Sequence, residues 1–390
     1  MKHNLQKPSQ NKGMKKMMIA AALVFAAAAC LGNAAPKQEP FKAAYVCEAE
    51  SGSEVAAFNG NKHLPIASMC KVMTLLLAFE AVDAGELSLE EEIVVSDHAA
   101  GMGGSQVFLD AGLSYPAGEL LKSIAVCSAN DSCVAVSERL AGSEEAFVAR
   151  MNERARELGA SDTLFANCTG LPREPQYSCA KDVALMLREL IKHETFFSYA
   201  GVRLEDFHHP DGRVTTMTNT NKLLRKLEGC DGGKTGFTEE AGFCLAATAK
   251  RNNTRLVCVV IGAESSDDRF DVVSRLLNET FAGYERKIAA AAGEAVGQGV
   301  AVKGSAVREL AVAPERSLGV FQKKGDRAEM RTELILPDAV KAPLMKGDRV
   351  GEIVLMKDGV EIDRCPLVSL GNAARYSYGE AFREGARLWN

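Results

Sequence analysis

Ser68-Met69-Cys70-Lys71 opens a long apolar run. On a helix, residues three apart share a face one turn apart, so the Lys71 amine can reach the Ser68 hydroxyl. A serine hydroxyl is a poor nucleophile at neutral pH and needs an adjacent base. At a helix start, its N–H also faces a developing oxyanion. The spacing alone is weak, because Ser9 with Lys12 and Ser178 with Lys181 match it as well. Only Ser68 follows Leu64-Pro65-Ile66-Ala67 and precedes an apolar helix. Ser178 reads instead as a helix cap beside a surface lysine. A second element, Ser128-Ala129-Asn130-Asp131, lies between two helical segments, where a hydroxyl and an amide two apart can face one cleft. Alone it reads as a cap and a turn. The third, Lys234-Thr235-Gly236, follows Asp231-Gly232-Gly233 and precedes a strand pair. In a strand Lys234 and Gly236 share one face and Thr235 takes the other, and the glycine leaves room for a ligand backbone.

The elements that must position these groups follow from periodicity and breakers. Residues 44–47 and 55–58 flank a turn at Ser51-Gly52-Ser53 and predict a hairpin. Residues 67–82 predict a helix that Gly85 caps. Helices are predicted over 117–128, 132–140, 143–158 and 180–193, the third opening with Ser-Glu-Glu. Residues 242–249 and 256–262 flank a turn at 251–254 and should pair antiparallel, and 268–281 predicts a helix against that sheet. Strands at both ends with helices between predict an α/β sandwich with an antiparallel sheet assembled from distant segments. An Ala/Gly-rich linker is predicted over 285–300, followed by short strands and frequent turns, a small all-β domain. Residues 375–390 predict a helix with Tyr378, Phe382, Ala386 and Trp389 on one face, either an interfacial membrane helix or a tail packed on its own domain.

The 390 residues suit two domains. Composition is that of a globular protein, with 47% apolar and 25% charged residues. A net charge of -5, with no basic cluster beyond the first sixteen residues, argues against a nucleic-acid partner. Lys12, Lys15 and Lys16 precede the apolar run Met17–Leu31 and the small residues around Ala34-Ala35, which reads as a secretory signal over 1–35. The run is short for a membrane span. Met14 is an alternative start, and Cys30 a rival lipidation site. Eleven cysteines without CxxC spacing make a zinc site improbable and suggest mostly free thiols.

Taken together, S-x-x-K, S-x-N and K-T-G in this order form the signature shared by penicillin-binding proteins and class A β-lactamases. Segments 103–109, 141–147, 177–182 and 341–351 extend the likeness. The chain resembles the low-molecular-mass penicillin-binding proteins, the D-alanyl-D-alanine carboxypeptidases, over about residues 40–385. These patterns divide the chain into a catalytic domain over 40–285, a β-rich domain over 295–370 and a tail over 374–390 that the first of its two readings sets on a membrane. The resemblance implies an exported hydrolase that removes the terminal D-alanine from peptidoglycan stem peptides, is acylated by β-lactams and needs no cofactor or metal.

Residue by residue, the resemblance makes Ser68 the acylated nucleophile and Lys71 its base. Ser128 relays a proton to the leaving amine, and Asn130 holds the substrate amide. Lys234, Thr235, Gly236, Phe237 and Thr238 line the substrate, with the N–H groups of Ser68 and Phe237 as the oxyanion hole. A lysine base must have its pKa lowered toward about 7–8, and Lys234 would be the second cation that helps. Two departures stand out: Phe237 replaces a histidine of some relatives, and Asn167-Cys168-Thr169-Gly170-Leu171 replaces a more usual Asn-Pro-His-Gly-Leu. Cys70 and Cys127 read as packing residues. A β-lactamase lacks the second domain, and no Glu-x-x-Leu-Asn occurs between Asn130 and Lys234. A DD-endopeptidase and a non-catalytic β-lactam sensor remain alternatives.

Overall fold

The computed structural model describes residues 39–387. The signal segment, Cys30, the alternative start and Trp389 lie outside them. The chain forms two compact units that divide after Thr280.

In the first unit, β1 (Ala43–Glu48) and β2 (Glu54–Phe58) form a hairpin. A single 3₁₀ turn, Ala67–Cys70, then leads into α1 (Lys71–Asp83). That helix is buried on nearly every side, Val72, Met73, Leu75, Leu76 and Phe79 being inaccessible. This explains why its sequence shows a dense apolar run and little amphipathic contrast. Its C-terminal end turns at Gly85, whose φ of +73° suits glycine. There follow α2 (Ala117–Cys127), α3 (Asn130–Ala141), α4 (Glu144–Leu158) and α5 (Ala180–Leu190). The Ser143 hydroxyl accepts from the Ala146 N–H and caps α4. A small hairpin, β3 (Leu204–His208) with β4 (Val214–Thr218), precedes the long strands β5 (Cys230–Thr238), β6 (Gly242–Arg251) and β7 (Thr254–Ala263). The five-stranded sheet has the order β2-β1-β7-β6-β5 and is antiparallel throughout. The N-terminal strands thus close onto strands some two hundred residues later, and β5, which carries Lys234-Thr235-Gly236, is left at an edge. Helix α5 lies against β1, β6 and β7. Helix α6 (Ser266–Gly283) follows, with Phe270, Val273 and Leu277 buried.

The second unit is β-rich. Strand β8 (Tyr284–Ala290) occupies the first half of the stretch expected as a linker, and β9 (Val312–Pro314) and β10 (Leu318–Lys323) follow. The linker expectation is corrected here. Alanines and a glycine suggested flexible chain, but β8 pairs antiparallel with β10 over six register positions. A four-stranded antiparallel sheet adds β11 (Met330–Ile335), β12 (Arg349–Lys357) and β13 (Val360–Ser369), in the order β9-β13-β12-β11. Its core is built on Val312, Leu318, Ile353, Leu355, Cys365 and Leu367. The last described element is α7 (Tyr378–Arg387). Gly379 did not prevent it, and Tyr378 and Phe382, one turn apart, stand exposed at 100% and 80%. Among the described residues, no helix is long and apolar enough to cross a membrane.

Candidate active site

Three segments that are far apart in sequence converge on Ser68. Ala67, immediately before it, has φ +46°, a strained conformation for a residue with a Cβ. Strain of this kind persists only where the surroundings impose it. The Met69 N–H donates to the Ile66 carbonyl and closes the turn. Ser68 is therefore held at the mouth of α1 with Lys71 in the first helical position.

Lys71 is fully buried. Its Nζ donates to Ser68 Oγ at 3.1 Å, to Asn130 Oδ1 at 2.6 Å and to the Thr169 carbonyl at 2.5 Å. Three oxygens surround Nζ, so the amine is fixed in direction beside the Ser68 hydroxyl. The departure in the 167–171 loop does not alter this function. Asn167 Oδ1 accepts from the N–H groups of Thr169 and Gly170 at 3.2 and 2.7 Å, which folds the loop on itself and aims the Thr169 carbonyl inward. Gly170, at φ +82°, passes so close to Ala67 that a Cβ there would overlap the Ala67 carbonyl.

Ser128 ends α2 in the left-handed region, at φ +69°. Its Oγ is buried and has no hydrogen-bond partner among the described residues. A buried hydroxyl without a partner is costly, and such a group is available to a ligand or a passing proton. Asn130 begins α3, and its side chain bridges two parts of the site. The amide oxygen accepts from Lys71, and Nδ2 donates to the Gly103 carbonyl at 2.6 Å. The second Nδ2 hydrogen remains for a ligand carbonyl. Asp131, fully buried, accepts from the N–H groups of Val107, Leu109 and Ser132 at 3.1, 3.1 and 2.9 Å. It ties the 103–109 loop down over Asn130. Burial raises the Asp131 pKa, and the backbone donors oppose that rise.

On the other wall, β5 runs past Ser68. A Cβ on Gly236 would lie 2.7 Å from the Ile66 carbonyl and 3.1 Å from Ser68 N. Only glycine allows this approach, and it brings the Gly236-Phe237 peptide beside the Ser68 N–H. Phe237 itself is half-exposed and stacks on Phe243 with centroids 4.3 Å apart. Lys234 is 2% exposed, and its Nζ donates to the Thr235 carbonyl at 3.0 Å. Burial, and next the charge of Lys71, pull the Lys234 pKa down to about 7. Thr235 Oγ1 donates to Thr220 Oγ1 at 2.7 Å. Thr238 lies farther along β5, and its hydroxyl accepts from the Ala241 N–H. It makes no hydrogen bond to Ser68, Lys71 or Asn130.

One residue escaped the sequence reading altogether. Arg269, from α6, is 9% exposed and donates to the Gly236 and Cys244 carbonyls at 3.1 and 3.4 Å. Its guanidinium lies 4.7 Å from the Phe270 ring centroid and 5.4 Å from that of Phe243. The buried Nε has no partner among the described residues, and burial lowers its pKa. Nothing in the local sequence marks it; only the fold brings α6 to the back of β5. Lys71, Lys234 and Arg269 form no ion pair among the described residues, so the cleft is electropositive and suits an anionic ligand.

The remaining S-x-x-K pair that the structure describes does not form a site. Ser178 Oγ is 2.7 Å from Thr163 Oγ1, and Lys181 is exposed. Cys179, not Ser178, caps α5, its Sγ accepting from the Asp182 N–H. The ten described cysteines are free. Cys70 Sγ contacts the Asn167 carbonyl at 3.3 Å, and Cys127 Sγ the Ser123 carbonyl at 3.3 Å. Burial raises both thiol pKa values, that of Cys127 to about 11, which is the behaviour of packing residues.

The profile of the D-alanyl-D-alanine carboxypeptidase family matches residues 32–265, and that of the penicillin-binding protein 5 C-terminal domain matches residues 284–375. The D-alanyl-D-alanine carboxypeptidase DacF of Bacillus subtilis (strain 168) is 37% identical over 329 residues, 84% of each chain. DacC of Escherichia coli (strain K12) is 31% identical over 330 residues, 83% of this chain and 81% of its own. Among solved structures, penicillin-binding protein 5 from Haemophilus influenzae is 26% identical at a TM-score of 0.66, covering 88% of this chain and all of its own. Penicillin-binding protein D2 from Listeria monocytogenes, in its ampicillin-bound form, is 30% identical at a TM-score of 0.56, covering 63% of this chain and 99% of its own. With both profiles and the three converging motifs in agreement, the chain belongs to the D-alanyl-D-alanine carboxypeptidase family of low-molecular-mass penicillin-binding proteins.

Proposed function

We propose that the protein is a serine D-alanyl-D-alanine carboxypeptidase that removes the terminal D-alanine from peptidoglycan stem pentapeptides through an acyl-enzyme on Ser68. The observation that carries this reading is the 3.1 Å contact between Lys71 Nζ and Ser68 Oγ, set beside the close pass of Gly236. In the reaction, Ser68 Oγ attacks the carbonyl of the penultimate D-alanine while Lys71 takes its proton. The Ser68 and Phe237 N–H groups receive the oxyanion, each such donor contributing about 3–4 kcal/mol to the lowered barrier. Asn130 Nδ2 holds the amide carbonyl. The unpaired Ser128 hydroxyl passes a proton to the leaving nitrogen, and the C–N bond breaks. Water then hydrolyses the ester and restores Ser68.

The terminal carboxylate sits against Thr235, with Lys234 and Arg269 behind it. A carboxylate there favours the protonated form of Lys234, so binding draws a proton onto that lysine. A penicillin presents a carboxylate and a strained amide in the same relation, which supports acylation of Ser68 by β-lactams. The exposed aromatic face of α7 supports a further part of the reading: an exported protein whose C-terminal tail, residues 374–390, rests on the membrane surface. The catalytic unit then ends near Thr280, and the β-rich unit includes β8.

The test is release of D-alanine from an acyl-Lys-D-Ala-D-Ala peptide and from the same peptide ending in L-alanine. Release from the first and not the second is expected. Equal release, or none from either while Ser68 still reacts with penicillin, would overturn the carboxypeptidase reading.

A further inference from the structure

The four-stranded sheet of the second unit has two edges, and the chain treats them differently. The β9 edge is closed. That strand is three residues long and ends in Pro314. The N–H groups of Gly293 and Val296 donate to the Pro314 and Val312 carbonyls, each at 3.0 Å. The β11 edge is open. The Glu329 N–H donates to Asp358 Oδ1 at 3.1 Å, and the Glu329 carbonyl accepts from the Asp358 N–H at 3.0 Å, so the backbone of Glu329 faces the β12 side. The Ile335 carbonyl faces that side as well, since a Cβ on Gly351 would lie 2.5 Å from it. These directions alternate along an antiparallel strand. Arg331, Glu333 and Ile335 therefore bond to β12, while the N–H and C=O groups of Met330, Thr332 and Leu334 point away from the sheet. None of these outward groups has a hydrogen-bond partner among the described residues. An edge of this kind is a template for another strand.

The side chains on this edge select the strand that fits it. Arg331 and Glu333 lie on the outer face of the sheet, 58% and 50% exposed, and pair with each other at 3.0 Å. On β12 the residues opposite them are Met356 and Val354, which offer them no charge. A cation and an acid placed symmetrically about Thr332 make the strand complementary to itself. Laying a second β11 antiparallel about a two-fold axis at Thr332 puts Arg331 opposite Glu333 of the second copy, and Glu333 opposite its Arg331. Those are the non-hydrogen-bonded positions of the new pair, where side chains come closest. At the other positions, Met330 with Leu334, Thr332 with Thr332 and Leu334 with Met330 exchange N–H···O bonds, which satisfies the outward groups. Met330 and Leu334, half-buried against the core of the unit, also meet across the axis on the inner face. Charge fixes this register. A shift of two residues in either direction sets Glu333 against Glu333 or Arg331 against Arg331, and a shift of one turns the faces over.

We propose that β11 is a self-association surface, and that two copies of the protein join through it edge to edge, the sheet of one copy continuing into the sheet of the other. Main-chain hydrogen bonds supply the attraction, as in other cases of strand addition, and the Arg331–Glu333 pairs supply the choice of partner and register. The inference goes beyond the function proposed above and does not depend on it, because no residue of β11 takes part in acyl transfer. The contact is a single strand from each copy, less than the roughly 800 Å² per partner of a standard interface. Association is therefore weak, with a dissociation constant on the order of tens of micromolar.

Sedimentation velocity of the purified protein, at concentrations spanning about tenfold either side of that constant, tests the proposal. The samples are the wild type, Arg331→Glu, Glu333→Arg, an equimolar mixture of these two variants, and Thr332→Pro. The wild type should pass from monomer to dimer across the range. Each single reversal sets like charges opposite each other at both cross-strand positions, and should weaken the dimer about tenfold, a difference of about 1.4 kcal/mol. The mixture should regain wild-type association, because each strand then meets one of opposite charge. Thr332→Pro removes the central outward N–H and no bond to β12, so it should stay monomeric while circular dichroism shows the fold retained. Labelling of Ser68 by a penicillin, read on the same samples, should be unchanged, which keeps this test apart from that of the acyl-transfer reading. A wild type that stays monomeric throughout overturns the proposal and leaves the edge to a strand of another protein. So does a dimer that neither the reversals nor Thr332→Pro weakens, or a pair of reversals that lose association and do not regain it on mixing.

Discussion

Replacing Lys234 with methionine should make the protein more stable and less active, and the two effects should have different pH dependences. Lys234 is buried, and its pKa falls from 10.5 to about 7. At about 1.4 kcal/mol per pH unit, the drop corresponds to about 5 kcal/mol. Relaxation and water entry reduce that figure, leaving on the order of 3 kcal/mol. The sign follows from proton linkage. Between pH 7 and 10.5 the unfolded chain binds this proton and the folded chain does not, so wild-type stability rises with pH across that window. Below about pH 7 the folded protein carries the buried charge, and its full cost is present. Above 10.5 both states are neutral and the cost is gone.

Methionine has a similar length and no charge, so Lys234→Met removes that cost. Urea unfolding at pH 6, 8 and 10 is the assay. The variant should exceed the wild type by on the order of 3 kcal/mol at pH 6, by less at pH 8 and by little at pH 10. Acylation by a penicillin, which presents a carboxylate, should be slowed at every pH. A variant that is less stable than the wild type at pH 6, or an advantage that does not shrink by pH 10, would refute the claim that burial and the neighbouring ammonium strain this lysine.

Two further outcomes follow from the packing around Ser68. Gly236→Ala would place a Cβ 2.7 Å from the Ile66 carbonyl. Strand β5 must then move away from Ser68, and acylation should fall by about a hundredfold, the scale of losing one oxyanion donor, while circular dichroism shows the fold retained; acylation within about twofold of wild type would count against Gly236 setting the hole. Asp131→Asn should destabilise the first unit by about 1–3 kcal/mol, because three backbone N–H groups then face an amide with one acceptor oxygen. Urea unfolding measures it, and a neutral result would mean that the 103–109 loop is held by other contacts.

Much of this architecture was legible because it is carried by local pattern. The apolar run after Ser68 predicted α1, Ser143-Glu144-Glu145 marked the start of α4, and Arg251-Asn252-Asn253-Thr254 marked the turn between β6 and β7. The three motifs were legible for the same reason. What the sequence did not show is of two kinds. Some groups act through backbone atoms, which carry no residue signature. The Thr169 carbonyl on Lys71 is one, and it survives a changed loop because Asn167 still supplies the turn. Others come from remote segments. Arg269 reaches Gly236 only because α6 returns to β5, and Thr220 meets Thr235 only through the turn after β4. The strand β8 was missed because its inward face, Tyr284, Arg286, Ile288 and Ala290, carries a buried arginine where an apolar residue would have marked the alternation.

The most direct test of the central claim is intact-mass analysis after incubation with a penicillin, comparing the wild type with Ser68→Ala. The account predicts an adduct of one penicillin on the wild type, placed on Ser68 by peptide mapping, and none on the variant. An adduct on the Ser68→Ala protein, or a wild type that forms none, would contradict it.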